Sequence, residues 1–188
     1  MSNHIDMEII KNQELDFLTK EELLFVNKIS EYGIECHSST NHTYDGRPYS
    51  IHLNMVFHFA LKFSSLIPRE KIPVALGSAW VHDTIEDARQ TYNDVKKVCG
   101  EEVAEIVYAL TNEKGKNRKE RASKKYYQEM RENKIAVFVK LCDRLANMEY
   151  SSQSGSRMID LYRKENENFI SELYFPEFES MYEAMKKY

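Results

Sequence analysis

The run Val81-His82-Asp83-Thr84-Ile85-Glu86-Asp87 crowds one imidazole and three carboxylates into a single short stretch. On a helix, Glu86 falls one turn beyond His82 and Asp83, and Asp87 one turn beyond Asp83, so the four groups share one side. Carboxylates this close repel one another unless a proton or a cation compensates, and a divalent metal is the simple resolution. The preceding segment, Val74 to Val81, is almost wholly apolar, so the chain passes abruptly from buried core to clustered charge.

A second group of the same kind is Lys140-Leu141-Cys142-Asp143-Arg144-Leu145-Ala146-Asn147. A helix there brings Asp143 and Asn147 together one turn apart, with Leu141, Leu145 and Met148 as packing residues. His52, soon after the Pro48-Tyr49 turn, is a third. Two imidazoles (His52, His82) and two carboxylates (Asp83, Asp143) make a mixed nitrogen and oxygen donor set, suited to manganese, iron, cobalt or zinc. A set of that kind leaves room for water and a phosphate oxygen, and the ion polarises P–O and lowers the pKa of its bound water. Cys142 reads as core packing, because no His–Asn arrangement accompanies it as for a nucleophilic thiol.

The elements that must carry these residues are helical. Leu23, Leu24, Val26, Ile29 and Tyr32 form a stripe that opens at a Thr19–Glu22 capping box and closes at Gly33, a helix stop. His42 to Tyr49 contains Asp45-Gly46 and Pro48 and reads as a turn before a helix. His52 to Phe63 then places Val56, Phe59, Ala60 and Phe63 on one face. Pro73 starts a helix over Val74 to Val81 that is buried on most sides. Asn93 caps a short helix ended by Gly100, and Val103, Ile106, Val107 and Leu110 make the next stripe. Lys116 to Met130 is strongly charged. Ile135 to Val139 is β-branched enough to pass as a buried strand, and is the one ambiguous place. The loop Ser151 to Ser156 precedes a helix with Met158, Tyr162, Phe169 and Leu173 inward, ended by Pro176. With no strand-period alternation elsewhere, the expectation is an all-α, single compact multi-helix domain over residues 1–188.

Composition agrees. At 188 residues the chain can bury a continuous core, and 42% apolar with 30% charged residues excludes disordered, collagen-like and disulfide-scaffold classes. A formal net charge of −4 argues against a nucleic-acid partner. Three cysteines without CxxC spacing read as reduced thiols. With no apolar leader and no run long enough for a membrane span, the expectation is a soluble, cytoplasmic protein.

Taken together, PYSIH (residues 48–52), HDTIED (82–87) and KLCDRLANM (140–148) resemble the HD superfamily of phosphohydrolases. They are most similar to the HD hydrolase domain of the RelA/SpoT alarmone enzymes, and among these to the small single-domain hydrolases. The resemblance runs from about Tyr44 to Leu173, with the motifs in the family's order. It implies His52, His82, Asp83 and Asp143 as ligands, usually of Mn²⁺. It implies Glu86 and Asp87 as the pair that positions or activates water, and Asn147 as a nucleotide contact. The implied reaction removes the 3′-pyrophosphate of (p)ppGpp. The length leaves no room for a synthetase half, and a homo-oligomer stays open. Departures from the pattern are His52-Leu53 in place of HP, Cys142 and Ala146 in KLxDRLxN, and Thr43 where a base-holding Arg is found. Tyr44 is available to stack on a base instead, and the adenine analogue (p)ppApp is an alternative substrate.

A polyphosphate needs cations to offset the carboxylates. Between Asn112 and Lys125 the chain holds Lys114, Lys116, Arg118, Lys119, Arg121, Lys124 and Lys125, which otherwise make a solvated helix face. Lys116, Arg118 and Arg121 are the candidates, with Arg144 beside a metal ligand as a fourth. His58 lies off the face of His52 and reads as structural; His4, His37 and His42 are expected on the surface, with His42 near the base site. Two further readings are a nucleotide or NADPH phosphatase releasing orthophosphate, and a non-catalytic nucleotide-sensing module.

Overall fold

A computed structural model describes residues 15–112 and 116–188, with the side chains of Arg118 and Lys119 outside it. His4 and Lys114 therefore lie outside the described residues. The described chain is all-α apart from one short hairpin. Helix α1 (Lys20–Ser39) opens on the expected capping box: the Thr19 hydroxyl accepts the Glu22 amide, and the Glu22 carboxylate accepts the Thr19 amide. It does not stop at Gly33. A Cβ there would sit 2.1 Å from the Trp80 carbonyl oxygen, so the glycine lets α1 lie directly against α3 (Ile72–Val81). Val26, Ile29, Gly33 and His37 thus continue one buried face to the end of α1, while Leu24 is exposed. Gly33→Ala is accordingly expected to destabilise the fold by about 1–3 kcal/mol, the usual overpacking range, since the obstacle is backbone and cannot swing aside. A lowered urea midpoint with an unchanged slope is the result to look for.

Between α1 and α2 (Ser50–Lys62) the Asp45-Gly46 turn closes a short hairpin where the sequence predicts only a turn. Thr43–Tyr44 (β1) pairs antiparallel with Arg47–Pro48 (β2), and Asp45 and Gly46 both have positive φ, as a two-residue primed turn requires. Pro73 sits in the first turn of α3 as expected. The next expectation fails: α3 ends at Val81, and Thr84–Asp87 is a separate short helix, α4. The cause is local competition for carbonyls. The His82 ring takes the Ala79 carbonyl at 3.0 Å and the Thr84 hydroxyl takes that of Val81 at 2.9 Å.

Helix α5 (Tyr92–Cys99) is capped by Thr91 rather than Asn93, because Thr91 forms a second capping box with Asp94. Gly100, at positive φ, separates it from α6 (Glu101–Leu110) as expected. Short helices α7 (Arg118–Arg121) and α8 (Lys124–Met130) follow. Helix α9 (Lys134–Ser154) resolves the ambiguous Ile135–Val139 run as helix: the Asn133 side chain accepts the amides of Ile135 and Ala136 and starts it there. It continues through most of the expected 151–156 loop until left-handed Gly155 stops it. Helix α10 (Met158–Glu172) buries Tyr162 and Phe169, with Leu173 buried just beyond, but leaves Met158 exposed. It ends before Pro176, which instead opens a turn leading into α11 (Glu179–Met185).

Helix α9 is the axis of the core. It packs against α2, α3, α6, α10 and α11, and its Val137, Phe138, Leu141, Leu145 and Met148 are wholly buried. Cys36, Cys99 and Cys142 are free and buried, and burial pushes the Cys142 thiol well above its ordinary range. Among the described residues no helix is long and apolar enough to cross a membrane.

Candidate metal centre and adjoining cleft

Four side chains from three elements converge where α2, the α3–α4 break and α9 meet. His52 comes from the first turn of α2, His82 and Asp83 from the break, and Asp143 from mid-α9. All four are buried. One donor atom each from His52, His82 and Asp83 lies within 4.8 Å of the others, a group that could hold a metal ion. Asp143 Oδ1 joins it at 3.3 Å from His52 Nε2 and 3.8 Å from His82 Nε2, and Asp83 Oδ2 is 3.5 Å from His82 Nε2. Ligand bonds of about 2.0–2.2 Å set neighbouring donors about 3–3.5 Å apart, so the spacing fits a divalent ion. The tautomer of His82 fits too. His82 Nδ1–H is given to the Ala79 carbonyl, which leaves Nε2 as the lone-pair nitrogen facing the group.

The electrostatics follow from burying two carboxylates. Burial alone would push the Asp143 carboxyl up, but Lys140, with Nζ 2.9 Å from Oδ2, and then His52 and His82 outweigh it and hold it well below the carboxylate range. Lys140 is itself opposed by burial and kept protonated by Asp143. Asp83 is likewise lowered, against burial, by the charge of His82 and the hydrogen bond from His37. Asp87, at the rim, moves the other way: desolvation, then Asp83 and Glu86, raise it.

Glu86 and Asp87 both open onto a pocket of about 160 Å³ directly over the four side chains. Glu86 is held from α6's end by Asn112, whose amide reaches both carboxylate oxygens at 3.1 Å. A larger cleft of about 630 Å³ lies alongside, and Glu86, Asn112, Lys140, Asp143 and Asn147 line both. Among the basic candidates, Arg121 lines this cleft, Lys116 is exposed and outside its lining, and the Arg118 side chain is outside the described residues. Arg144 also lines it, but it is buried and stitched to α10: it donates to Glu165, Asn166 and the Tyr162 carbonyl, and stacks on Tyr162 and Phe169. Asn147 donates to Asp143 at 2.6 Å and accepts the Tyr44 hydroxyl at 2.8 Å. Tyr44 has one ring face on His52, 4.8 Å between centroids, so it braces the group from the hairpin.

His58 is exposed and away from the group. The surface assignment of His37 is overturned: it is 1% exposed and its Nε2 lies 3.1 Å from Asp83 Oδ1. His42 is half-buried against Tyr49, and Tyr49 donates its hydroxyl to Asp83 Oδ2. A signal for His37 was present in the sequence, since it continues the Val26, Ile29, Gly33 face by one more turn; taking Gly33 as a stop hid it. Lys140 was likewise quoted in its motif without being singled out.

An all-α fold thus brings together a buried two-histidine, two-aspartate group that could hold a divalent metal, beside a cleft of about 630 Å³. No family model matches the chain. Its fold is that of a metazoan ortholog of SpoT described as hydrolysing ppGpp and acting in starvation responses. The TM-score is 0.68 at 21% identity, covering 87% of this chain and 92% of that one. By sequence the chain is 38% identical over 109 residues to the guanosine-3′,5′-bis(diphosphate) 3′-pyrophosphohydrolase of Aquifex aeolicus. It is 31% identical over 104 residues to the enzyme of the same name, MESH1, of Danio rerio. Each match covers 55% of this chain, and they cover 14% and 56% of those relatives' own lengths.

Proposed function

We propose that the protein is a metal-dependent phosphohydrolase that removes the 3′-pyrophosphate from an alarmone nucleotide, (p)ppGpp or (p)ppApp. The observation that carries this reading is that the His52, His82, Asp83 and Asp143 donors converge in a small pocket, and that this pocket shares Glu86, Asn112, Lys140, Asp143 and Asn147 with an adjoining cleft of about 630 Å³, large enough for a nucleotide. The names of its sequence relatives support the same reaction. A divalent ion at this group, Mn²⁺ in this proposal, supplies Lewis-acid polarisation of the phosphoryl oxygen and a lowered pKa for water.

The chain's own residues do the rest. The four ligands fix the place of the reacting phosphoryl group. Glu86 and Asp87, above them, orient the attacking water and take its proton as the new P–O bond forms. The 3′ C–O–P linkage breaks on the phosphorus side, the ribose 3′ oxygen leaves with a proton, and pyrophosphate departs. Lys140 and Arg121, facing the cleft, offset the phosphate charge. The base is the least constrained part, since Thr43 offers no cation and Tyr44 is turned onto His52.

Phosphorus NMR of Mn²⁺-loaded protein given ppGpp, ppApp and NADPH in parallel tests the reading. Pyrophosphate from either tetraphosphate is the expected product, and the faster substrate names the base. Orthophosphate alone, or no turnover of all three, rejects it in favour of a phosphatase or a sensing module.

A further inference from the structure

Asp83 sits in the break between α3 and α4, with φ −122° and no place in a helical ladder to hold its side chain. Its carboxylate is instead gripped from outside. His37 Nε2, at the end of α1, meets Oδ1 at 3.1 Å, and the Tyr49 hydroxyl, at the start of α2, meets Oδ2. Behind His37, its Nδ1 lies 2.8 Å from Nδ1 of His42. The two imidazoles lie side by side, 5.1 Å between centroids, and the Tyr49 ring stacks on both, 4.3 Å from His37 and 4.0 Å from His42, so the three rings hold one another in place.

Hydrogen-bond arithmetic then leaves one neutral arrangement. His37 must carry its proton on Nε2 to donate to a carboxylate, so its Nδ1 is an acceptor. The only atom that contact offers as donor is His42 Nδ1–H. His42 therefore sets the tautomer of His37, and His37 sets the direction in which Asp83 presents its free lone pairs.

We propose that His37 is a positioning residue for the metal centre, with His42 as the lock on its tautomer, and that together with Tyr49 they pre-aim Asp83 at the ion. The inference rests on the metal-hydrolase reading for its purpose. Outer partners of this kind commonly account for 10–100-fold in metal affinity. A ligand on an irregular turn has the greatest need of one.

The test is calorimetric titration of Mn²⁺ into the metal-free protein and its variants, with nitrogen-15 NMR of the imidazoles alongside. His37→Phe keeps the ring and the stack but removes the donor, and is expected to weaken Mn²⁺ binding by about 10–100-fold. His37→Gln places an amide N–H near the position of Nε2 and should recover most of that loss. His42→Phe should weaken binding less and release His37 from a single tautomer. In the parent, His37 should be protonated on Nε2 only and His42 on Nδ1.

Mn²⁺ binding as tight in His37→Phe as in the parent overturns the inference and leaves the hydrolase reading standing. Equal weakening by Phe and Gln overturns the role of the donor, and a His37 protonated on both nitrogens overturns the lock. A parent that binds no Mn²⁺ overturns the metal reading and this inference with it. Should His37→Phe fail to fold, His37→Asn, too short to reach Asp83, makes the same comparison against His37→Gln.

Discussion

Asp143→Ala is expected to abolish Mn²⁺ binding and turnover and to destabilise the fold by about 1–3 kcal/mol, the cost of leaving a partly buried charged group without its partner. The orphan is Lys140, whose ammonium lies 2.9 Å from Asp143 Oδ2. Loss of activity alone would therefore say little, because a partly unfolded protein also loses activity. Adding Lys140→Met separates the two effects. The double variant has no uncompensated cation and should regain most of the lost stability, read as the urea midpoint, while still binding no Mn²⁺ by calorimetry. A single variant that retains tight Mn²⁺ binding would remove Asp143 from the ligand set. A double variant as unstable as the single one would show that Asp143 serves the fold by some route other than Lys140.

That coupling was only half legible in the sequence. The i, i+4 pair Asp143 and Asn147 could be placed from helical spacing alone, because α9 is continuous and its turns are regular. The i, i+3 pair Lys140 and Asp143 was equally available, but a lysine in an amphipathic motif reads as a solvated side chain unless the neighbouring core is known. The four converging side chains were legible by residue type: imidazoles and carboxylates in apolar settings need compensation wherever they meet. That they meet depends on α2, the α3–α4 break and α9 packing together, which no local pattern states.

The misreadings share a cause. Gly33 reads as a terminator because glycine is the usual residue just past a helix end, whereas its actual constraint is the Trp80 carbonyl, 47 positions along the chain. The helix expected through His82 and Asp83 breaks because the side chains of His82 and Thr84 prefer the carbonyls at its end. Asn93 lost the cap of α5 to Thr91 because only Thr91 has Asp94 at the capping-box position. In each case a local propensity was right in kind and was outweighed by a specific contact. The hairpin at Asp45-Gly46 went the other way: its turn chemistry was read correctly, but two-residue strands are too short to show any alternation.

Glu86→Gln is expected to keep Mn²⁺ and lose turnover by roughly 10²–10⁴-fold, the scale of a removed general base. The substitution is nearly isosteric. Asn112 reaches Glu86 through both carboxylate oxygens, so the glutamine carbonyl can take the same amide and hold the side chain in place. Glu86 is not among the side chains whose donors face one another, His52, His82 and Asp83 with Asp143 beside them, which is why metal affinity should stay close to that of the parent. Stopped-time assays of pyrophosphate release, paired with Mn²⁺ calorimetry on the same preparation, read both quantities. Loss of metal together with turnover would move Glu86 into the ligand set. Turnover within about tenfold of the parent, below the range for general-base help, would leave Asp87 as the proton acceptor.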